Sequence, residues 1–211
     1  GELNAFTTKE ETCVYGLYLE QYHERFLELL ADIVFHSTFP EQAIEKEKEV
    51  ILDEINSYMD TPSEQIFDDF EYRLFGNRGL GRMILGTPDK VKAMTRERLQ
   101  DFVRANYTTD NMVISTITSI PADKWFAMCE KHLGKEPKTE RTNKRSSIGI
   151  YKPTYKCIDR DTYQSHIIIG NRAYSYRNPK KVAFSLLNNI LGSGAMNSFL
   201  NMHIREKYGF T

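Results

Sequence analysis

Glu47 and Glu54 are the two residues of this 211-residue chain whose type and spacing best fit chemistry. They lie within EQAIEKEKEVILDEINSYM, which reads as a helix with Ile44, Ile51, Ile55 and Tyr58 on one apolar stripe. Seven residues make almost two helical turns, so the two carboxylates share one side, about 10 Å apart along the axis. That side borders the stripe, with Val50 beside it. A carboxylate at such a border can ligate a metal or orient a ligand. The same spacing also describes a solvated acidic face, because Glu45, Glu49 and Asp53 lie nearby. Spacing alone leaves both readings open. The five histidines, His23, His36, His132, His166 and His203, form no HxxEH, HxxxH or HExxH pattern that would supply a metal site.

The elements that must position these residues can be read in order. GELNAFT and TCVYGL alternate as two strands around a polar turn at Lys9 to Glu11, with Leu3, Ala5 and Thr7 on one face. Phe26, Leu29, Leu30 and Ile33 set a helical period in the next segment, where His23 reads as a packing or surface residue. The Glu47 helix should break at Asp60-Thr61-Pro62, since proline disfavours a helical residue before it. A further helix through Phe67, Phe70 and Leu74 follows. GNRGLGRMILGTPD lacks the pattern and preceding strand of a phosphate-binding loop and reads as a shaped connection. Thr87 and Thr95 are helix caps, NMVISTITSI is an apolar strand, and ADKWFAMCEKHLG is a helix with Trp125, Met128 and Leu133 inward.

Residues 135–147, KEPKTERTNKRSS, contain no apolar side chain and read as a linker. Beyond it, GIYKPTYKCIDR and TYQSHIIIGNRAY read as strands, with His166 and Ile168 on one face of the second. Asn178-Pro179 opens a helix through Phe184, Leu187 and Ile190, and NSFLNMHIREKYGF forms the last helix. A strand at the very start and a helix at the very end give both termini the look of cuts. Charge is balanced, with 28 basic and 29 acidic residues, so nucleic acid is not an indicated partner. No apolar run approaches spanning length and no signal-peptide pattern opens the chain. Cys13, Cys129 and Cys157 show no metal-type pairing and point to a reducing, cytoplasmic compartment, with a periplasmic one as the alternative.

Several of these stretches together resemble the pitrilysin/insulinase (M16) family of zinc peptidases, most closely bacterial proteins similar to mitochondrial processing peptidase. GELNAFT is similar to the family's Gly-x-x-Asn-Ala strand, EKEKEVILDEI to the stretch holding its third zinc ligand, and LNMHIREKYGF to its late Arg-Glu-Lys-x-Gly helix. The resemblance implies an α+β fold, sheets with helices packed mainly on one face, in parts of two similar domains of a clamshell. Residues 1–134 would be a partial first domain, 135–147 a linker and 148–211 the beginning of a second. It implies Glu54 as the zinc ligand and Glu47 as its support. Asn4 and Ala5 match the edge strand that takes the peptide substrate, flanked by Leu3 and Phe6.

The family's HxxEH helix, with two histidine ligands and the glutamate that activates water, would lie before residue 1. The function so implied is a segment of a zinc-dependent endopeptidase that hydrolyses peptides by metal-activated water, inactive and without zinc as an isolated piece. A second half-chamber, in the same chain or a homologous subunit, is the implied partner. The alternative is a noncatalytic structural or substrate-guiding subunit of the same family. Two positions depart from the family pattern: Phe199 stands where arginine is common, and Ser119 where glycine is common.

Overall fold

The computed structural model describes residues 1–142 and 148–210. The five linker residues at 143–147, and the last residue, 211, lie outside the described residues. The architecture is α+β: an antiparallel hairpin followed mainly by helices. Two compact units divide the chain, Gly1–Ile150 with Lys156–Ile168, and Tyr151–Tyr155 with Ile169–Thr211.

In the first unit, strands β1 (Glu2–Thr7) and β2 (Thr12–Leu17) pair antiparallel, with Asn4 opposite Tyr15 and Ala5 opposite Val14. Helix α1 (His23–Phe35) covers one face of this hairpin. Gly16 shows how closely: a Cβ there would collide with the Phe26 ring of α1. Burial on α1 follows His23, Leu27 and Ala31, one residue per turn, with Phe26, Leu30 and Ile33 half-buried beside them and Leu29 exposed. Helix α6 (Ala122–Leu133) packs on α1 through buried Trp125, whose ring meets the His23 ring edge-on at 5.6 Å. His23 is a satisfied core residue: Nδ1 lies 3.0 Å from the Tyr18 hydroxyl and Nε2 lies 2.8 Å from Thr118 Oγ1.

Helix α2 (Glu41–Met59) stops where proline requires, and α3 (Pro62–Phe75) begins with Pro62 at its first position. Ile55 is buried and Ile44, Ile51 and Tyr58 are half-buried, so the apolar stripe lies where the helical period places it. α2 packs against α3 and against α4 (Pro88–Lys92) through buried Val91. The glycine-rich connection is shaped by close approach, since a Cβ on buried Gly81 would run into the Gly76 carbonyl. Helix α5 (Arg96–Asn106) is capped as its sequence demands: Thr95 Oγ1 accepts from the Arg98 amide at 3.3 Å.

Three predicted strands are not formed as strands. Residues 111–120, 149–160 and 162–174 make no ladder among the described residues. A strand is defined by its neighbour, whose carbonyls and amides must satisfy its own. Met112–Ser119 and β2 line one cavity of about 1970 Å³ without pairing with each other. Alternation survives at 165–169, where His166 and Ile168 are half-buried and Ser165, Ile167 and Ile169 are exposed.

The second unit contains α7 (Lys181–Gly192), which starts two residues after the predicted Pro179, and a helical stretch at 199–208 with π-type turns at Asn201–Glu206. Ser198 is its buried residue, donating to the Ser193 carbonyl at 3.0 Å. No helix among the described residues is long and apolar enough to cross a membrane.

Candidate functional site

The residues singled out from sequence fall on two elements of the first unit, β1 and α2. All six positions of β1 are exposed, and its one ladder partner among the described residues is β2. One long edge of β1 is therefore available for backbone hydrogen bonding. Leu3 and Phe6 are each 47% exposed, on opposite faces of the strand, and Phe6 lies 6.1 Å from the Tyr15 ring across the hairpin. The Ala5 amide donates to Asn4 Oδ1 at 2.8 Å, so one amide of the strand is held by its neighbour's side chain. An incoming peptide carbonyl at that amide would have to displace it.

Glu47 and Glu54 are exposed on the side of α2 that the helical period assigns them, next to the half-buried stripe. Lys48, between them in sequence, pairs with Glu45 at 2.6 Å rather than with either. Among the described residues no three His, Cys, Asp or Glu side chains converge as a metal would require. Zinc in a peptidase takes three protein ligands and keeps one open position. The donor set here does not meet that need: Glu54 is a single hard carboxylate, with no described imidazole beside it. No metal-dependent step is derived from these residues.

A charged node not visible in the sequence sits between these elements. Lys9, in the β1–β2 turn, donates from Nζ to Asp68 Oδ1 at 2.8 Å and to the Arg82 carbonyl at 2.5 Å, and pairs with Glu71 Oε2 at 3.0 Å. All three ammonium donors are used. Asp68 Oδ2 accepts from the Tyr58 hydroxyl of α2 at 2.7 Å, with the Glu64 carbonyl oxygen 3.0 Å from the same hydroxyl. The Lys9 and Asp68 side chains are only 17% and 21% exposed. Burial pulls the Lys9 ammonium down, but its hydrogen bonds to Asp68 and Glu71 and their charges outweigh this and hold it above the usual lysine value. Burial, then the Asp68 hydrogen bond and charge, push the Tyr58 phenol far above its ordinary value, so it stays a neutral donor. The partners lie 59 residues apart in sequence, and no local pattern announces them.

The comparisons with known proteins bear on these same elements. Residues 1–88 match the model for "Insulinase (Peptidase family M16)", and residues 93–211 match the model for "Peptidase M16 inactive domain". The chain belongs to peptidase family M16. It is 34% identical to the protein named uncharacterized zinc protease YmxG of Bacillus subtilis (strain 168), over 99% of this chain and 50% of the relative. It is also 34% identical to uncharacterized zinc protease ML0855 of Mycobacterium leprae (strain TN), over 99% of this chain and 48% of that protein.

This M16 chain thus spans about half the length of the curated relatives it matches. A peptidase M16 inactive domain from Pseudomonas fluorescens shares the fold with a TM-score of 0.81 at 21% identity, covering 99% of this chain and 51% of that one. A protease from Helicobacter pylori shares it with a TM-score of 0.76 at 16% identity, over 99% of this chain and 52% of that one. Ser119 and Phe199, the two positions read from sequence as departures, have local contacts. Ser119 donates to Glu20 Oε1 at 2.5 Å, a bond glycine lacks, and the Phe199 ring lies 4.3 Å from that of His203.

Proposed function

We propose that the intact protein carrying this chain is a zinc-dependent endopeptidase of family M16, in which Glu54 is a metal ligand and Glu47 supports it. The observation that carries this reading is the conjunction of an exposed carboxylate pair on α2 and an open strand edge at β1, both within residues 1–88, the stretch matching the insulinase model. The two other zinc ligands and the glutamate that activates water would come from outside these residues. The chain alone would then neither hold zinc tightly nor cleave peptides.

The β1 residues Leu3, Asn4, Ala5 and Phe6 would receive the substrate as an added strand. Backbone hydrogen bonds give such a site affinity for peptides of varied sequence, and exposed Leu3 and Phe6 add apolar contact. Residues 1–134 are read as the larger part of a first domain and 148–211 as the start of a second, which would help enclose the peptide. The three free thiols support a reducing compartment, hence the cytoplasm. The periplasmic alternative draws on a fold shared with the periplasmic protease PqqL of Escherichia coli, at a TM-score of 0.60.

Hydrolysis of a set of unrelated quenched fluorescent peptides by the intact protein tests the reading. Hydrolysis should stop with a chelator and return with zinc. Glu54→Gln should lower it by at least about a hundredfold. Wild-type activity in Glu54→Gln would remove Glu54 from the metal centre. The match of residues 93–211 to an inactive-domain model favours a second reading, a noncatalytic substrate-guiding subunit. In that case the intact protein alone would hold no zinc and would stimulate cleavage only when mixed with an active family member.

A further inference from the structure

The Lys9 ammonium joins the hairpin turn to α3 through Asp68 and Glu71 and to the glycine-rich connection through the Arg82 carbonyl, and Asp68 extends the node to α2 through Tyr58. Two of these pieces matter for the proposed site. The hairpin turn directly continues β1, ending two residues before Lys9. Tyr58 stands four residues after Glu54, one turn further along the same helix. Lys9 ties the hairpin turn to the helix pair, through Asp68 and Glu71 of α3.

From this arrangement we infer that Lys9 is a positioning residue, which fixes the β1 edge relative to the Glu54 face of α2 by clamping the hairpin turn to Asp68 and, through Asp68, to Tyr58. The inference rests on the proposed peptidase reading for its consequence in catalysis, and on geometry alone for the clamp. An added-strand substrate is held by β1, while the metal ligand is held by α2. A small rotation of the hairpin on the helices would therefore displace the peptide from the reacting centre without touching either one. Misplacement of this kind, remote from the chemistry, is costly in rate.

Lys9 suits the task better than an apolar turn residue would. Its three donors are directed to acceptors on two other segments, Asp68 and Glu71 of α3 and the Arg82 carbonyl, so rotation about any one contact strains the other two. Asp68 is divided in the same way, one oxygen to Lys9 and the other to Tyr58. The small cavity beside the node, about 420 Å³, is lined by Phe67, Met83, Ile84 and Leu85 with Lys9, Tyr58, Asp68 and Glu71. The low exposure of the Lys9 and Asp68 side chains strengthens their pairing.

The test uses the intact protein with Lys9→Met, Lys9→Arg and, as a control for loss of a surface charge, Lys131→Met, whose partner is exposed Glu24. Zinc content, steady-state hydrolysis and hydrogen exchange are measured on each. Lys9→Met should retain zinc, lower kcat about tenfold while changing KM far less, and speed exchange of the amides in residues 2–12 and 60–72. Lys9→Arg should recover most of both effects, and Lys131→Met should match wild type. Glu71→Gln removes one anion of the node, and gives the same signs at smaller size if Lys9→Met does not fold.

A merely structural lysine would lower the melting temperature and leave kcat and the exchange pattern of the folded protein unchanged. That result overturns the inference. A wild-type protein that cleaves no peptide would end the peptidase reading instead, and the exchange data would still decide whether Lys9 clamps the hairpin to α2 and α3.

Discussion

Helices α2 and α7 have the same kind of apolar stripe, and the structure treats them differently. On α2, Ile55 is 2% exposed and its neighbours on the stripe are half-buried, against α3 and α4. On α7, Leu187 and Ile190 remain 50% and 57% exposed, and the recorded ring contact of its stripe is Phe184 edge-on to Tyr174 at 5.8 Å. The difference lies in what each helix meets within its own unit. Periodicity states that a helix has a face to cover. The cover itself must be supplied by segments distant in sequence, as Val91 of α4 and the residues of α3 do for α2. Where such segments are present, side chains at the margin of the stripe, such as Glu54, acquire a fixed address.

Breaking the covered stripe should give the largest effect. Ile55→Ala should lower the unfolding free energy of this chain by about 2–5 kcal/mol in a denaturant titration, the cost of a cavity where burial is complete. Next is the charged node beside it. Asp68→Asn should cost about 1–3 kcal/mol, because it leaves the Lys9 ammonium short of one of its two anions in a half-buried site. A cost near zero would show that the node is solvated in solution.

The node also predicts a pH dependence. Tyr58 and Lys9 both have folded-state values raised above their unfolded ones, near 10 and 10.5 respectively. A raised value means the folded protein holds the proton more tightly. Their contribution is therefore complete below about pH 10 and is lost as pH rises towards the folded values. Melting curves from pH 8 to 11 should show wild type losing stability with pH. Tyr58→Phe, about 1 kcal/mol less stable at pH 8, should lose less, so that the gap closes. A gap that widens would contradict the assignment. The smallest effect belongs to the uncovered stripe: Ile190→Ala should change stability by no more than about 0.5 kcal/mol. A loss comparable to that of Ile55→Ala would mean that α7 is covered in solution.

What the sequence made legible follows the reach of the interactions concerned. The stripe of α2, its stop before Pro62, the cap at Thr95 and the inward Trp125 depend on residues within a few positions, and all are found as read. The strand at 111–120 is not, because its existence depends on a ladder partner and its own residues cannot specify one. Of the two readings of His23, surface or packing, burial supports packing, but its contact with Thr118, 95 positions away, was not readable. For the candidate site, the shared side of Glu47 and Glu54 was legible from helical geometry and the strand β1 from alternation, its edge role only from the family resemblance. The Lys9 node was not. Lys9 looks like any polar turn residue until Asp68 and Glu71 are brought to it.

The claim on which the functional account depends is that the Glu54 carboxylate ligates zinc in the intact protein. Metal analysis of the purified intact protein, wild type against Glu54→Gln, tests it most directly. The account predicts about one zinc per wild-type molecule and substantial loss of that zinc in Glu54→Gln, with the fold unchanged by circular dichroism. Equal, stoichiometric zinc in both proteins would contradict it.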